Sequence, residues 1–512
     1  MLFTIFCLSL QNFSHQQKTI TIMRKLSLFL AAFIFAATTW AQNGDKLTTI
    51  AEKTISVKST DFDYLYGDTT SIVFKEANTR SIFGTTGGHL EIARYDKNLN
   101  EVTRSSMDLP VNCKYITGFN NKEGIDILLS EKNEEGTKLD VYHEHLSPTT
   151  LEPVGELITL GTLKGEKEDN LGFICRQSPD KMLTAGIFVT QREGQGAEAR
   201  VVLYDRKFEE YWSMTTRLRV VDFASVTDNG EVIIGGYHPQ AIPDRNDFEI
   251  IVLDGEKNHT YNFTLHAGEI ADVDLAGWRD GKLHLLAIGR KKNSDKNTNG
   301  NHADRLISIC YNTVSDKVTS DTYTFSEEEI ERMNNKGNLS GTLNDEIRFL
   351  GFENAVEAPD GHYDVLLTQT WTVLSDYGNS HVSSGIMIVT LQPNGTVKRV
   401  YTHPYDACSN IVCIKLAKKR LLRTNGGSLL LYSQHEKNVG RKPSKKVKIY
   451  APGGNKAVLT ALFIPDDGEV IEKHFPTEKF SLINTPILMD NNKYLLFMCN
   501  RKTLKLTTLD LQ

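Results

Sequence analysis

The sequence has little of what marks most functional classes, and each gap narrows the reading. Beyond residue 41 no uninterrupted apolar run approaches the roughly 20 residues of a membrane-spanning helix. The expected mature chain is therefore soluble, with no transmembrane helix. The seven cysteines form no CxxC pair, so neither a zinc ribbon nor a thiol-redox motif is present. No GxSxG elbow, HExxH, Walker loop or dinucleotide fingerprint occurs. No cofactor is expected. Lys and Arg (58) are outnumbered by Asp and Glu (64), for a formal charge of −6. Phosphate binding needs a clustered basic face, so nucleic acid is not an expected partner. The richest basic stretch, Arg441 to Lys448 around Pro443, reads as a solvated hairpin tip. Almost no segment has helical period.

What is present begins with an unusual start. Met23-Arg24-Lys25 is a short basic region, and Leu26 to Ala37 is an apolar run. Thr38-Thr39-Trp40-Ala41 then sets small residues at the third-last and last positions before Gln42. That is the layout of a secretory signal peptide over 23–41, cleaved after Ala41. Residues 1–22 have no role in it and read as an upstream extension from a misassigned start. Loss of Lys18, Arg24 and Lys25, with no acid removed, takes the formal charge from −6 to −9. The expected destination is the periplasm or the cell surface of a Gram-negative bacterium.

Export permits disulfides, yet Cys113, Cys175, Cys310, Cys408, Cys413 and Cys499 are scattered among apolar strands. Cys310 in Ile309-Cys310-Tyr311 and Cys499 after Phe497-Met498 read as small core residues. Only Cys408 and Cys413 are close enough in sequence to suggest a local bridge.

From residue 42 to 512 the texture is uniform: short apolar runs separated by Asp, Asn and Gly turns. A tight turn followed by a strongly apolar strand recurs. Examples are Asp228-Asn229-Gly230 before Val232-Ile233-Ile234, Asp280-Gly281 before Leu283 to Ile288, and Asp360-Gly361 before Val365-Leu366-Leu367. Asn425-Gly426-Gly427 before Leu429-Leu430-Leu431 is another, and Asp68 before Ile72-Val73-Phe74 would be the first. Such dipeptides supply the positive φ of hairpin turns. Near-continuous apolar strands imply burial on both faces. After each comes an apolar strand ending in a large residue plus a polar one, then a more polar strand. Ile92 to Asp96 with Glu101 to Met107, and Val201 to Asp205 with Tyr211 to Leu218, show the pattern.

Each unit thus reads as four antiparallel strands. The units resemble β-propeller blades over nearly all of residues 46–512. The resemblance is architectural, because the Gly-His and Trp-Asp pairs and the double glycines of the repeat classes are missing. The resemblance implies an all-β propeller of seven or eight four-stranded blades. Eight is favoured: Leu504 to Asp510 lacks a fourth strand, and Thr48 to Val57 is spare. Pairing the N- and C-terminal strands would close the ring and hide an edge. One segment departs from the pattern: Ser326-Glu327-Glu328-Glu329 is a capping box opening a short helix to Asn335, ended by Gly337 and projecting from a rim.

Chemistry is sparse. Asp272-Val273-Asp274 opens like a calcium loop but lacks the later ligands, and reads as the polar rim of an inner strand. His143 and His145 flank Glu144, and strand period two puts both imidazoles on one side. No third ligand is identifiable, so no metal site is assigned. Trp371, with Asp376, Tyr377, Asn379 and His381 after it, has the make-up of a glycan- or peptide-binding rim; packing between blades is the plainer reading. Lys291 to Asp304 reads as a polar loop. The expectation is an exported, non-catalytic binding or scaffold protein with an unknown protein or glycan ligand. The rival is a hydrolase or lyase acting on glycans or peptides at the central channel, whose residues converge from several blades. Its catalytic residues are unknown.

Overall fold

The computed structural model describes residues 45–511 except 55–60, 66–71, 83–84, 112, 121–122, 193–195, 240–244, 291–301, 335–346, 374–379, 411–417, 442–446, 452–455, 484–485, 491–492 and 501–502. The leader segments 1–22 and 23–41, Asp68, Asp376, Tyr377, Asn379, Cys413, most of Lys291 to Asp304 and the centre of the basic stretch lie outside the described residues.

Seven sheets each use four strands in chain order and simple antiparallel array, the fifth interrupted by the two-residue strand His302–Ala303, which pairs with Ile347–Arg348. They span 61–111, 113–164, 170–218, 223–266, 269–324, 350–410 and 419–478. The eighth is composite. Lys493–Cys499 pairs on one side with the short segments Ser481–Leu482 and Ile487–Asp490, and on the other with Thr503–Asp510. Its outermost strand is Lys46–Thr54, which runs antiparallel to Thr503–Asp510 from Lys46↔Asp510 to Thr54↔Thr503. The eight-blade count and the pairing of the chain's two ends are therefore both present.

Burial explains the order of strands. The second strands are almost wholly buried, as in Lys282–Arg290 and Gly427–His435, whereas the fourth strands alternate with solvent, as in Glu210–Leu218 and Lys317–Thr324. First strands of neighbouring sheets touch one another, which puts them innermost. Every sheet shares an apolar cluster with the next: Ile233 and Phe248 of the fourth meet Leu283 and Ile307 of the fifth, for example. The last cluster brings Ala93, Tyr95 and Leu99 of the first sheet against Phe497, Leu504 and Leu506 of the eighth. Each fully buried Leu, Ile or Phe in these clusters contributes roughly 1.5–3 kcal/mol of transfer free energy.

The polar residue ending each third strand has a definite task. Asp96 Oδ1 accepts from the backbone N–H groups of Asn98 and Asn100, both at 2.8 Å, and Asp205 Oδ1 from those of Lys207 (2.8 Å) and Glu209 (3.0 Å). These Asx turns end in a residue of positive φ, Leu99 (59°) and Phe208 (60°), whose side chains drop into the inter-sheet cores.

The helix forms at Glu327–Asn334. Its capping box is present: Ser326 N donates to Glu329 Oε2 (2.8 Å) and Glu329 N to Ser326 Oγ (3.3 Å). It does not project. Ile330 and Met333 are buried in the cluster between the fifth and sixth sheets, so the segment is a packed connection. Among the described cysteines, Cys113, Cys175, Cys310, Cys408 and Cys499 are not disulfide-bonded, with Cys310 and Cys499 in the core as expected.

Removing residues 45–54 should strip the last sheet of its outer strand and expose Thr503–Asp510 as an edge. Several ladder hydrogen bonds at about 0.5–1.5 kcal/mol each go with it. Thermal melts of the chain from residue 42 and from residue 55 should differ by more than 10 °C or by loss of soluble protein; equal midpoints would mean the terminal strand is dispensable.

Candidate functional site

The two rims of the propeller differ. On one, first and second strands are joined by tight Asp-Gly or Asn-Gly turns. On the other lie the links from second to third strands and from one sheet to the next. The strands Lys282–Arg290 and Gly427–His435 both end at this loop rim. Variable loops on a rigid scaffold are where binding groups collect.

On the loop rim of the fourth sheet lies a groove of about 420 Å³. Its floor is made by the end of Val232–Pro239 and by Arg245–Leu253 and Asn258–His266; its wall is the connection through Arg219 and Val220. Gly236 lets that connection lie flat on the strand, since a Cβ there would come within 2.7 Å of Val220 and 2.8 Å of Asp222 Oδ2. Asp222 is anchored in turn: its N–H donates to Gly235 O (2.9 Å), and its Oδ2 accepts from Tyr237 N (3.0 Å). Charges in the groove are balanced. Asp247 accepts from Arg245 Nε (3.0 Å) and Thr264 Oγ1 (2.6 Å), with Arg219 Nη1 at 3.7 Å, and Glu249 accepts from Arg219 N (2.7 Å). Phe248 and Phe263, which also line the groove, are stacked at 4.7 Å and stiffen it.

Asp222, under the groove's wall at Gly236, is one of three acids, with Asp272 and Asp274 of the fifth sheet. The last two share one face of the inner strand Glu269–Arg279, and each accepts from the next residue's N–H. Desolvation by the surrounding protein raises all three carboxyls above the usual range, although Asp222 and Asp274 keep an exposed surface; the charges of Asp274 and Asp222 push Asp272 further up, and Arg176 from the third sheet partly offsets the effect at Asp274. The sequence placed Asp272 and Asp274 on the rim of an inner strand, and they are there. Asp222 carried no signal of its own, because its partner Asp272 is fifty residues away.

His143 and His145 do face one side, and Asp126 from the adjacent strand lies between them. Trp371 is partly buried and stacked on Phe349 at 5.6 Å, which accords with packing; of the loop residues grouped with it, only the backbone of His381 is described, in the strand Ser380–Leu391.

A further polar group, invisible to linear reading, joins the sixth and seventh sheets. Lys419 is buried, and its Nζ donates to Ser383 Oγ (2.7 Å), lies 3.8 Å from Glu353 Oε1 and sits 5.1 Å from the Tyr405 ring centre. Burial lowers its pKa to about 8.

No known family model matches the chain, and no curated protein matches its sequence. Solved structures resemble it weakly. Prolyl oligopeptidase B from Galerina marginata shares 8% identity at a TM-score of 0.39, over 89% of this chain and 56% of the peptidase. The chain therefore spans little more than half the length of that enzyme. An apocarotenoid oxygenase from Synechocystis (10%, TM-score 0.35, 91% and 94% covered) and an oligogalacturonate lyase from Vibrio parahaemolyticus (9%, 0.30, 70% and 85%) are similar to the same degree. These likenesses carry no functional argument; the fold rests on the sheets and their packing.

Lys419 gives a test of the inter-sheet environment. A buried amine with a depressed pKa favours folding above its unfolded value near 10.5, and that contribution is lost as pH falls through about 8. Lys419→Met should therefore be more stable than the parent at pH 7, with the gap narrowing toward pH 10.5. Denaturant midpoints at the two pH values measure it; a variant less stable at both would show that the ammonium's contacts outweigh its desolvation.

Proposed function

We propose that this protein is an exported binding protein whose groove on the fourth sheet takes a polyhydroxylated ligand, a glycan. The observation that carries this reading is the groove's charge balance. The side chains of Arg219 and Arg245 both flank Asp247, and Glu249 accepts from the Arg219 backbone N–H, so two formal charges of each sign share a surface dense in donors and acceptors, with Asn262 and Thr264 beside them. Such a surface gives a free ion no net attraction, but it offers the paired hydrogen bonds that sugar hydroxyls use. Its volume falls within the roughly 300–1,000 Å³ of ligand sites. Export is supported by the charged, apolar and small-residue order of 23–41. The N-terminal sequence of secreted material should begin at Gln42; a start at Met1 or Met23 would remove the export reading.

A glycan array followed by calorimetry tests the binding itself. Arg245→Ala and Asn262→Ala should each weaken the ligand found by about tenfold, in line with the loss of one or two hydrogen bonds to a charged or polar group. Unchanged affinity in both would move the site elsewhere.

One observation favours a second reading, a hydrolase or lyase acting on glycans. Carboxyls held above their usual range by desolvation are suited to general acid or base work; Asp222 lies against the groove wall at Gly236, and its charge acts on Asp272. Time-dependent appearance of reducing ends or unsaturated products from the bound glycan, abolished in Asp272→Asn while binding persists, would replace the first reading with this one. At neutral pH Asp272→Asn should also raise the melting temperature. A carboxyl whose folded pKa is raised favours folding at low pH and loses that contribution as pH rises through the folded value; the gain should vanish below pH 4.

A further inference from the structure

The turn rim of the second sheet carries a different chemistry. Asp126 is the second residue of the strand Ile125–Lys132, directly opposite His145 on Lys138–Leu146, with His143 two residues away on the same face. His143 Nε2 lies 2.9 Å and His145 Nδ1 2.7 Å from the same oxygen, Asp126 Oδ1. Asp126 and His143 are buried, whereas the His145 side chain is 32% exposed. The floor is apolar: Phe208 from the third sheet stacks on the His143 ring at 4.2 Å and Phe119 lies 6.1 Å from Phe208. Gly124 keeps the exposed ring close, because a Cβ there would sit 2.6 Å from His145 Cε1 and 2.4 Å from Leu146 O.

The sixth sheet provides an internal comparison. Asp364, also the second residue of its second strand, accepts from two hydroxyls on different oxygens, Thr390 Oγ1 (2.5 Å) and Ser428 Oγ (2.6 Å), with Arg423 Nη1 at 3.8 Å and His362 Nε2 at 4.0 Å. That aspartate is held between the sheets by hydroxyls and a guanidinium. In the second sheet two imidazoles converge on a single oxygen, Asp126 Oδ1, which is a donor set for a metal.

We infer that Asp126, His143 and His145 form a binding site for a divalent first-row cation, zinc above the others. Two imidazole nitrogens and one carboxylate oxygen are the ligands of an open tetrahedral zinc site. Zinc bonds of about 2.0–2.1 Å set neighbouring donor atoms about 3.3 Å apart, so the observed spacings must open by about half an ångström. The rotation of one partly exposed ring, His145, provides most of that. Since the other two ligands are buried, the fourth position faces solvent on the His145 side, where a water or a ligand's donor atom completes the shell. His143 Nδ1 has no hydrogen-bond partner. Zinc ligands usually have one, and its lack lowers affinity by about 10–100-fold. The site is therefore weaker than a zinc centre whose outer shell is complete. It lies at the opposite ends of the strands from the groove on the fourth sheet and does not depend on that groove's ligand.

The full chain, stripped with chelator and dialysed, would be titrated with Zn²⁺ against a chromophoric competitor, and with Co²⁺ by visible absorption. The wild type should take up one equivalent of Zn²⁺ more than His145→Ala and Gly124→Ala, show the intense visible bands of four-coordinate cobalt, and melt a few degrees higher with Zn²⁺. His145→Ala, whose ring is partly exposed, should fold with an unchanged circular dichroism spectrum while losing at least tenfold in affinity. Asp126→Asn should lose the cobalt bands. Equal zinc uptake by the wild type and His145→Ala would put the ion elsewhere and overturn the assignment, as would a wild type whose melting point does not respond to zinc.

Discussion

The structure depends on one constraint: a sheet whose second and third strands are apolar on both faces needs a neighbour on each side. The burial of Lys282–Arg290 or Gly427–His435 along nearly their whole length is not possible in a two-layer sandwich, where one face meets solvent. Eight such sheets, each sharing a core cluster with its neighbours, satisfy the requirement only if the last also has a partner. The contact of Tyr95 and Leu99 with Phe497 and Leu506 gives it one. The borrowed strand Lys46–Thr54, the inward lean of Leu99 and Phe208 and the hydroxyl-filled niche of Asp364 all serve the same two-sided burial.

Much of this was legible in the residues, and for physical reasons. Asp-Gly and Asn-Gly turns, the strands after them and the spare strand at the start are local features whose consequences are local, so strand order and blade number followed. Ser326 and Glu329 likewise announced a helix, because a capping box is four residues long. The direction in which that helix packs was not legible: Ile330 and Met333 face a cluster assembled from two sheets. The candidate site was half visible. The strand period placed His143 with His145, but Asp126 comes from the neighbouring strand, seventeen residues earlier, and register is a tertiary property. Asp222, Ser383 and Lys419 gave no sign at all, since each acquires its chemistry from a residue in another strand or another sheet.

The division of the two rims has its own logic. Tight turns leave little room for variation, so the turn rim changes only through the residues that begin and end strands, as at Asp126 and His145. The loop rim can lengthen freely, because closing a longer loop costs little extra entropy. A groove walled by a connection, as at Arg219 and Val220, can thus be reshaped without disturbing the strands beneath it.

The strand Lys46–Thr54 has a consequence for how the molecule is made. Thr48 and Thr508 meet in the finished sheet, 460 residues apart along the chain. A ribosome delivers the first of these long before the second, so Lys46–Thr54 has no partner strand until Thr503–Asp510 has been made. Contacts of such separation form late and slowly. Until they do, the seven earlier sheets stand as a stack with two bare apolar ends, the condition in which growing chains most readily stick to one another. The register that completes the last sheet is thus one the growing chain reaches late, and the interval before it is one of exposed apolar edges.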